Sequence, residues 1–213
     1  MDAAQLNQLC KTKSKDQKVV LEYFLKEPGC FSKTISDEEY MAMVMRKLES
    51  LKLKAKALGK IGLDIDQVSE ISPVNFDDFY FDNAYAKKVA DGSFVSSTFE
   101  STWIFFSSTQ IYFYTCRFWM DEDKKKEETE EYFYRDVTSL STSTTEEKPK
   151  ELIELKSGCM GKKTSSIVEK TIESTKFKLV VPGASITVSM KGTEENEQVV
   201  QAMKQKLREK KSA

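Results

Sequence analysis

The stretch Ser93–Leu140 constrains this chain more than any other. It runs Phe94-Val-Ser-Ser-Thr-Phe-Glu-Ser-Thr-Trp-Ile-Phe-Phe106, turns at Ser107-Ser108-Thr109 and returns as Ile111-Tyr-Phe-Tyr-Thr-Cys-Arg-Phe-Trp119. After a charged segment it resumes as Tyr132-Phe-Tyr-Arg-Asp-Val137. β-Branched and aromatic side chains suit a pleated, half-buried surface, so the stretch reads as an antiparallel meander. In its first strand Val95, Phe99, Trp103 and Phe105 share one face, and Ser96, Thr98, Glu100 and Thr102 the other. That is a partial alternation of the kind a strand shows. Asp121–Glu128 reads as a solvated loop, since nothing in it offsets the cost of burial. Tyr132, Tyr134 and Leu140 are in phase and Val137 is not. A bulge near Arg135-Asp136 would bring Val137 onto the tyrosine face at Leu140's expense.

Beyond the meander the signals weaken and then sharpen. Ser141–Lys150 is rich in Ser, Thr and Glu and is expected to be mobile, while Leu152–Leu155 and Ile167–Ile172 are modest strand candidates. Phe177, Leu179 and Val181 alternate cleanly, Pro182-Gly183 supplies a type II turn, and Ile186, Val188 and Met190 return in phase. Thr193 then caps a helix reaching Lys210, with Glu194-Glu195 in its first turn. Val199, Val200, Met203 and Leu207 form its single apolar stripe, wide enough to cover the open end of a small sheet pair.

The first third is of another kind, dominated by Leu, Lys, Met and Ala. Lys15–Lys26 predicts a short helix, apolar nearly all round at its centre and so buried on more than one side, which Pro28-Gly29 stops. Ser36-Asp-Glu-Glu39 is a capping box that opens a longer helix. Met41, Val44, Leu48, Leu51, Ala55 and Leu58 then recur three and four apart, a seam of coiled-coil type. Lys47, Lys52 and Lys54 flank it with few acidic partners, which favours antiparallel packing on the preceding helix over a homodimeric coiled coil. Gly59 and Gly62 end the helix. Asp64 and Gln67 read as the capping pair of a short helix, Ile65–Ile71, in preference to a metal-binding Asp64-Ile-Asp66. Ser72-Pro73 closes the segment, and Asn75–Asn83 reads as a linker that packs down. The chain is thereby divided into a helical unit (1–75), a linker (76–92) and a strand-rich unit (93–213).

About seven strand candidates closed by one amphipathic helix form an informative order. The aromatic meander ending in Tyr132-Phe-Tyr-Arg-Asp-Val-Thr-Ser-Leu140, the Val-Pro-Gly hairpin and the terminal helix resemble the pleckstrin-homology-like (PH-like) domains of bacteria, over about residues 93–211. The expected fold class is α+β: a helical N-terminal unit followed by a PH-like barrel of about seven antiparallel strands, capped by the C-terminal helix. The resemblance implies a binding or scaffolding module and brings no activity with it.

The residues themselves also point away from catalysis. The chain has no histidine, so the usual general base and the commonest metal ligand are both missing. Cys10, Cys30, Cys116 and Cys159 lack CxxC spacing and read as free buried thiols. Gly158-Cys-Met-Gly161-Lys162-Lys163-Thr164 falls short of a phosphate loop, because its glycines are too close and no Ser or Thr follows Lys162. No catalytic residue, cofactor or metal ligand is assigned. A net charge of −1 argues against a nucleic-acid partner, leaving a protein partner or self-association. The alternative is a membrane-surface role in which Lys162, Lys163, Lys204, Lys210 and Lys211 contact anionic lipid. The PH-like resemblance places lipid-binding basic residues on the first hairpin, yet Ser107–Gln110 contains none. An earlier hairpin at Asp91-Gly92, preceded by Lys87-Lys88, would shift that count. Met1–Leu9 is polar, which sets a cytoplasmic expectation.

Overall fold

A computed structural model of the chain describes residues 3–26, 34–68, 71–149, 151–157, 163–168 and 171–212. The fold is α+β, with open antiparallel sheets and a C-terminal helix. Among the described residues, no helix is long and apolar enough to cross a membrane.

Four helices lead: α1 (Ala3–Cys10), α2 (Lys15–Leu25), α3 (Asp37–Ser50) and α4 (Leu53–Ile61). Helix α1 was not expected; it buries Leu6 and the free thiol of Cys10. Ser14 and Gln17 form a capping box on α2, as Ser36 and Glu39 do on α3. The long seam is not one helix. Lys52 sits at φ 48°, in the left-handed region, and splits it into α3 and α4. The register changes at the break, so α4 buries Leu53 and Ala57 while Ala55 is exposed. The helices also pack mainly on a sheet, with α3 meeting α2 through Tyr40, whose ring lies 4.6 Å from that of Tyr23. Asp64 is capped by Gln67 as expected (2.9 Å), but only one 3-10 turn, Ile65–Val68, follows.

The segment expected to end the helical unit and form a linker is instead β1 (Ile71–Phe79), an edge strand. Pro73 lies where its register slips, as a residue without an N–H should in a ladder. Next come β2 (Tyr85–Lys88) and β3 (Phe94–Ser96), a hairpin turning through Asp91-Gly92, where Gly92 has φ 90°. The meander is β4 (Thr98–Phe106), β5 (Gln110–Trp119) and β6 (Lys125–Phe133). Half of the anticipated loop Asp121–Glu128 belongs to β6, whose charged residues blunt a free edge. In place of a bulge, a 3-10 turn at Tyr134–Asp136 carries the chain into another sheet and buries both Tyr134 and Val137.

The remaining strands are β7 (Ser139–Glu147), β8 (Glu151–Ser157), β9 (Lys163–Val168), β10 (Ile172–Val181) and β11 (Ala184–Met190), followed by α5 (Glu194–Ser212). The stretch expected to be mobile is therefore mostly β7, held by its ladder to β10. Ile167 and Ile172 fall on different strands. Gly183, at φ 83°, turns β10 into β11 as the Pro-Gly pair requires.

The strands form three open sheets, in the orders β1-β4-β5-β6, β11-β10-β7 and β3-β2-β8-β9. The first and second are meanders. The third is built from the two hairpins that interrupt them, joined by parallel pairing of β2 with β8. Two apolar cores result. In one, the N-terminal helices cover Phe79, Phe99, Phe105, Tyr114 and Phe118 of the first sheet. In the other, the opposite face of that sheet, with Phe76, Ile104, Phe106 and Phe113, packs against Phe177, Leu179 and Val188 of the second. Val200, Met203 and Leu207 of α5 complete this second core, and Val199 is half-buried beside it. β4 is covered on both faces, so Thr98, Glu100, Ser101 and Thr102 are buried as well as the aromatic and aliphatic residues of the run Trp103–Phe106 that line its two cores.

Candidate binding cleft

Helices α3 and α4 do not close completely on the first sheet. Between them and β1 and β4 lies a cleft of about 610 Å³, within the range of ligand-sized pockets. Leu48, Leu58 and Ala55 form its helical wall, and Trp103 of β4 forms the opposite one. Lys54 Nζ lies 5.6 Å from the centroid of the Trp103 ring, at the rim. The break at Lys52 re-aims the helix, so that α4 turns Leu53 and Ala57 to the sheet, and Ala55, two residues on, falls on its other side at the cleft.

Asn75, Asp77 and Ser101 are the polar part of the lining. Period-two alternation places Asn75 and Asp77 on the helix-facing side of β1, in phase with buried Phe79. Asn75 Nδ2 donates to Asp77 Oδ2 (2.7 Å), and Ser101 Oγ donates to Asn75 Oδ1 (3.2 Å). Asp77 Oδ1 is buried with no hydrogen-bond partner. Burial raises the Asp77 carboxyl above its ordinary range, against the hydrogen bond from Asn75 that favours its charge. The cleft is thus an apolar groove with one strained acceptor at its base.

A second polar constellation surrounds Tyr80. Arg117 donates through Nε to Glu100 Oε2 (2.9 Å), and its guanidinium lies 3.3 Å from the Tyr80 ring centroid. Lys176 Nζ, 5.8 Å from the same centroid, pairs with Glu147 at 2.5 Å. Glu147 also accepts from the Phe81 N–H (2.8 Å) and Ser174 Oγ (2.9 Å). Nearby, burial pushes the Asp78 carboxyl up to about 6, with Glu147 and Glu100 adding to the rise. Each full charge here has its partner within the protein, which is the arrangement of a structural network.

Of the lysines singled out from sequence, three stand on α5 and Lys163 stands on β9. Lys204 and Lys211 line a groove of about 320 Å³ between α5 and residues 134–140, together with Leu207 and Arg208. Lys211 Nζ donates to the Val137 carbonyl (2.8 Å), so it ties the helix end to the turn. Lys210 follows Arg208 and Glu209 in the same helix, half-buried. Lys163 opens β9 in the third sheet, and Lys162 lies outside the described residues.

Sequence reasoning missed the cleft, because Asp77 stood in a supposed linker and Trp103 was assigned to a closed core. The signal present is short: Val74 and Phe76 alternate with Asn75 and Asp77, and Asp78-Phe79 then reverses the phase, which hides the strand from period-two reading. Comparison with models of known families, with curated proteins and with solved structures finds no match for this chain.

Proposed function

We propose that the protein is a non-catalytic interaction module on a PH-like plan, and that it holds a segment of a partner protein in the cleft beside α4. The cleft carries this reading: it is apolar, concave and open, and its walls come from rigid elements. The PH-like part rests on the order of elements. A four-stranded meander is followed by a three-stranded one and a terminal helix that packs between them, with both additional hairpins diverted into the third sheet. The sheets remain open, so the kinship lies in the path of the chain and not in a closed barrel.

Peptide selection from a random displayed library tests the proposal. Ala55 is exposed and lines the cleft, so Ala55→Trp fills it without disturbing a buried position. Selected peptides should bind the native protein and lose binding to Ala55→Trp at unchanged melting temperature. Peptides indifferent to the substitution would overturn the cleft as the contact surface.

A further inference from the structure

The charges around α4 are unevenly matched. Three ammonium groups, from Lys56, Lys60 and Lys125, converge on the one carboxylate of Glu127, whose side chain is 8% exposed. Lys56 approaches Oε1 at 2.5 Å and Lys125 at 2.6 Å, while Lys60 pairs with Oε2. Burial opposes the charge on Glu127, but the hydrogen bonds from Lys125, Lys56 and Lys60 outweigh it and hold the carboxyl well below its usual range. Among the described residues these lysines have no other carboxylate, so two positive charges are left over. On the other flank of α4, Lys52 and Lys54 stand at the cleft rim, and the acidic residues of that lining are Glu49 and, at the base, the buried Asp77. The helix therefore carries its unmatched positive charge at Lys56 and Lys60, with Lys52 and Lys54 added at the exposed rim, in a chain whose net charge is −1.

We infer that the segment taken by the cleft is acidic: an apolar anchor flanked by Asp and Glu residues, the anchor between Leu58 and Trp103 and the carboxylates over the α4 lysines. This inference rests on the cleft reading above and adds the class of partner. Carboxylates arriving at Lys56, Lys60 and Lys125 offset a repulsion that Glu127 only partly relieves. A partner's acidic side chains at the rim also draw Lys54 off Trp103 and open the ring to the anchor. The anchor's own backbone or ring N–H groups are the donors that the base of the cleft lacks. A lipid surface fits less well, because the apolar surface here is recessed between helix and sheet and cannot enter a bilayer.

Fluorescence anisotropy with labelled synthetic peptides tests the inference. One peptide carries a central Leu-Phe-Leu flanked by glutamates, a second has glutamines in their place, and a third has lysines. The acidic peptide should bind at least about tenfold tighter than the neutral one at low salt, with the advantage shrinking as salt rises. The combined change Lys56→Gln and Lys60→Gln, which leaves Lys125 on Glu127 and the cleft lining intact, should weaken the acidic peptide about tenfold and leave the neutral one unchanged. Ala55→Trp should abolish both. Equal binding of acidic and neutral peptides, still sensitive to Ala55→Trp, would overturn the acidic preference and leave the cleft reading standing. Binding that ignores Ala55→Trp, or no binding by any peptide, would overturn both. So would co-sedimentation with vesicles of phosphatidylserine and phosphatidylcholine in the absence of peptide binding.

Discussion

The two faces of the first sheet are built differently. Its helix-covered face is filled with rings: Phe79, Phe99, Phe105, Tyr114 and Phe118 meet Phe24, Tyr40, Leu53 and Ala57. Tyr40 is the hinge of that packing, stacked on Tyr23 and edge-on to Phe24, with its hydroxyl donating to the Ser96 carbonyl at 2.6 Å. The opposite face changes character along its strands. Phe76, Ile104, Phe106, Ile111 and Phe113 are apolar, Thr102 and Thr115 share a hydrogen bond at 3.0 Å, and beyond them Glu100 pairs with Arg117. The helix-covered face thus gains most of its stability from apolar area, with its polar groups, the Asn75, Asp77 and Ser101 cluster and the lysine-paired Glu127, toward its margins. The other gives up part of that gain to keep charges in mutual register, which ties Tyr80, β7 and β10 to the end of the first sheet.

The largest expected effect falls on the apolar half of the second face. Met203 is 3% exposed, and Met203→Asp would place an unpaired carboxylate among Phe106, Val188 and Val200. The loss should exceed about 4 kcal/mol in urea unfolding, enough to unfold a marginally stable protein. An unchanged midpoint would mean that α5 does not close this core.

Next in size is the ionic half. Glu147→Ala strands Lys176 and leaves the Phe81 N–H and Ser174 without their acceptor, which should cost about 3 kcal/mol. Replacing Glu147 and Lys176 together by Met should cost clearly less than Glu147→Ala alone. If the double replacement is worse, the pair stabilises the fold in its own right.

Acidity sharpens the same contrast. The ordinary aspartate value is 3.8, and Asp78 is raised to about 6 in the folded protein by burial, so the folded state takes up a proton that the unfolded state does not. A raised carboxyl favours the folded state fully below the unfolded value, and that contribution is lost as pH rises through the folded one. Glu127 is shifted the other way and keeps its full contribution above its unfolded value, so it is silent in this window. The urea midpoint should be higher at about pH 5 than at about pH 7.5, and Asp78→Asn should narrow the gap. A gap of undiminished size would assign it to other buried carboxyls, Asp77 and Asp121 among them.

The smallest effect belongs to the helix-covered face. Tyr40→Phe keeps the ring stack and removes one hydroxyl, so it should cost about 1–2 kcal/mol for the unpaired Ser96 carbonyl. A loss as large as that of Glu147→Ala would show that the aromatic face also depends on its polar tips.

Local pattern alone determined much of this protein: the capping boxes at Ser14 and Ser36 were both written in the chain, the second of them read in advance. So were the aromatic hairpin of β4 and β5, the Pro-Gly hairpin of β10 and β11, and the stripe of α5 that is found buried. These depend on neighbours within a few residues, and short-range spacing records them directly. Tertiary structure decided the rest. Whether Asn75–Phe79 is a linker or a strand depends on the ladder offered by β4, and Ser139–Glu147 becomes a strand only because β10 lies beside it. The left-handed turn at Lys52 and the cleft it opens follow from fitting α4 onto a sheet that its own residues do not encode. Glu100, placed by its spacing on one face with Ser96, Thr98 and Thr102, is buried because Arg117 and the second sheet reach it from far along the chain. Burial of a polar side chain is set by its partners, and those partners are contacts that no local spacing contains.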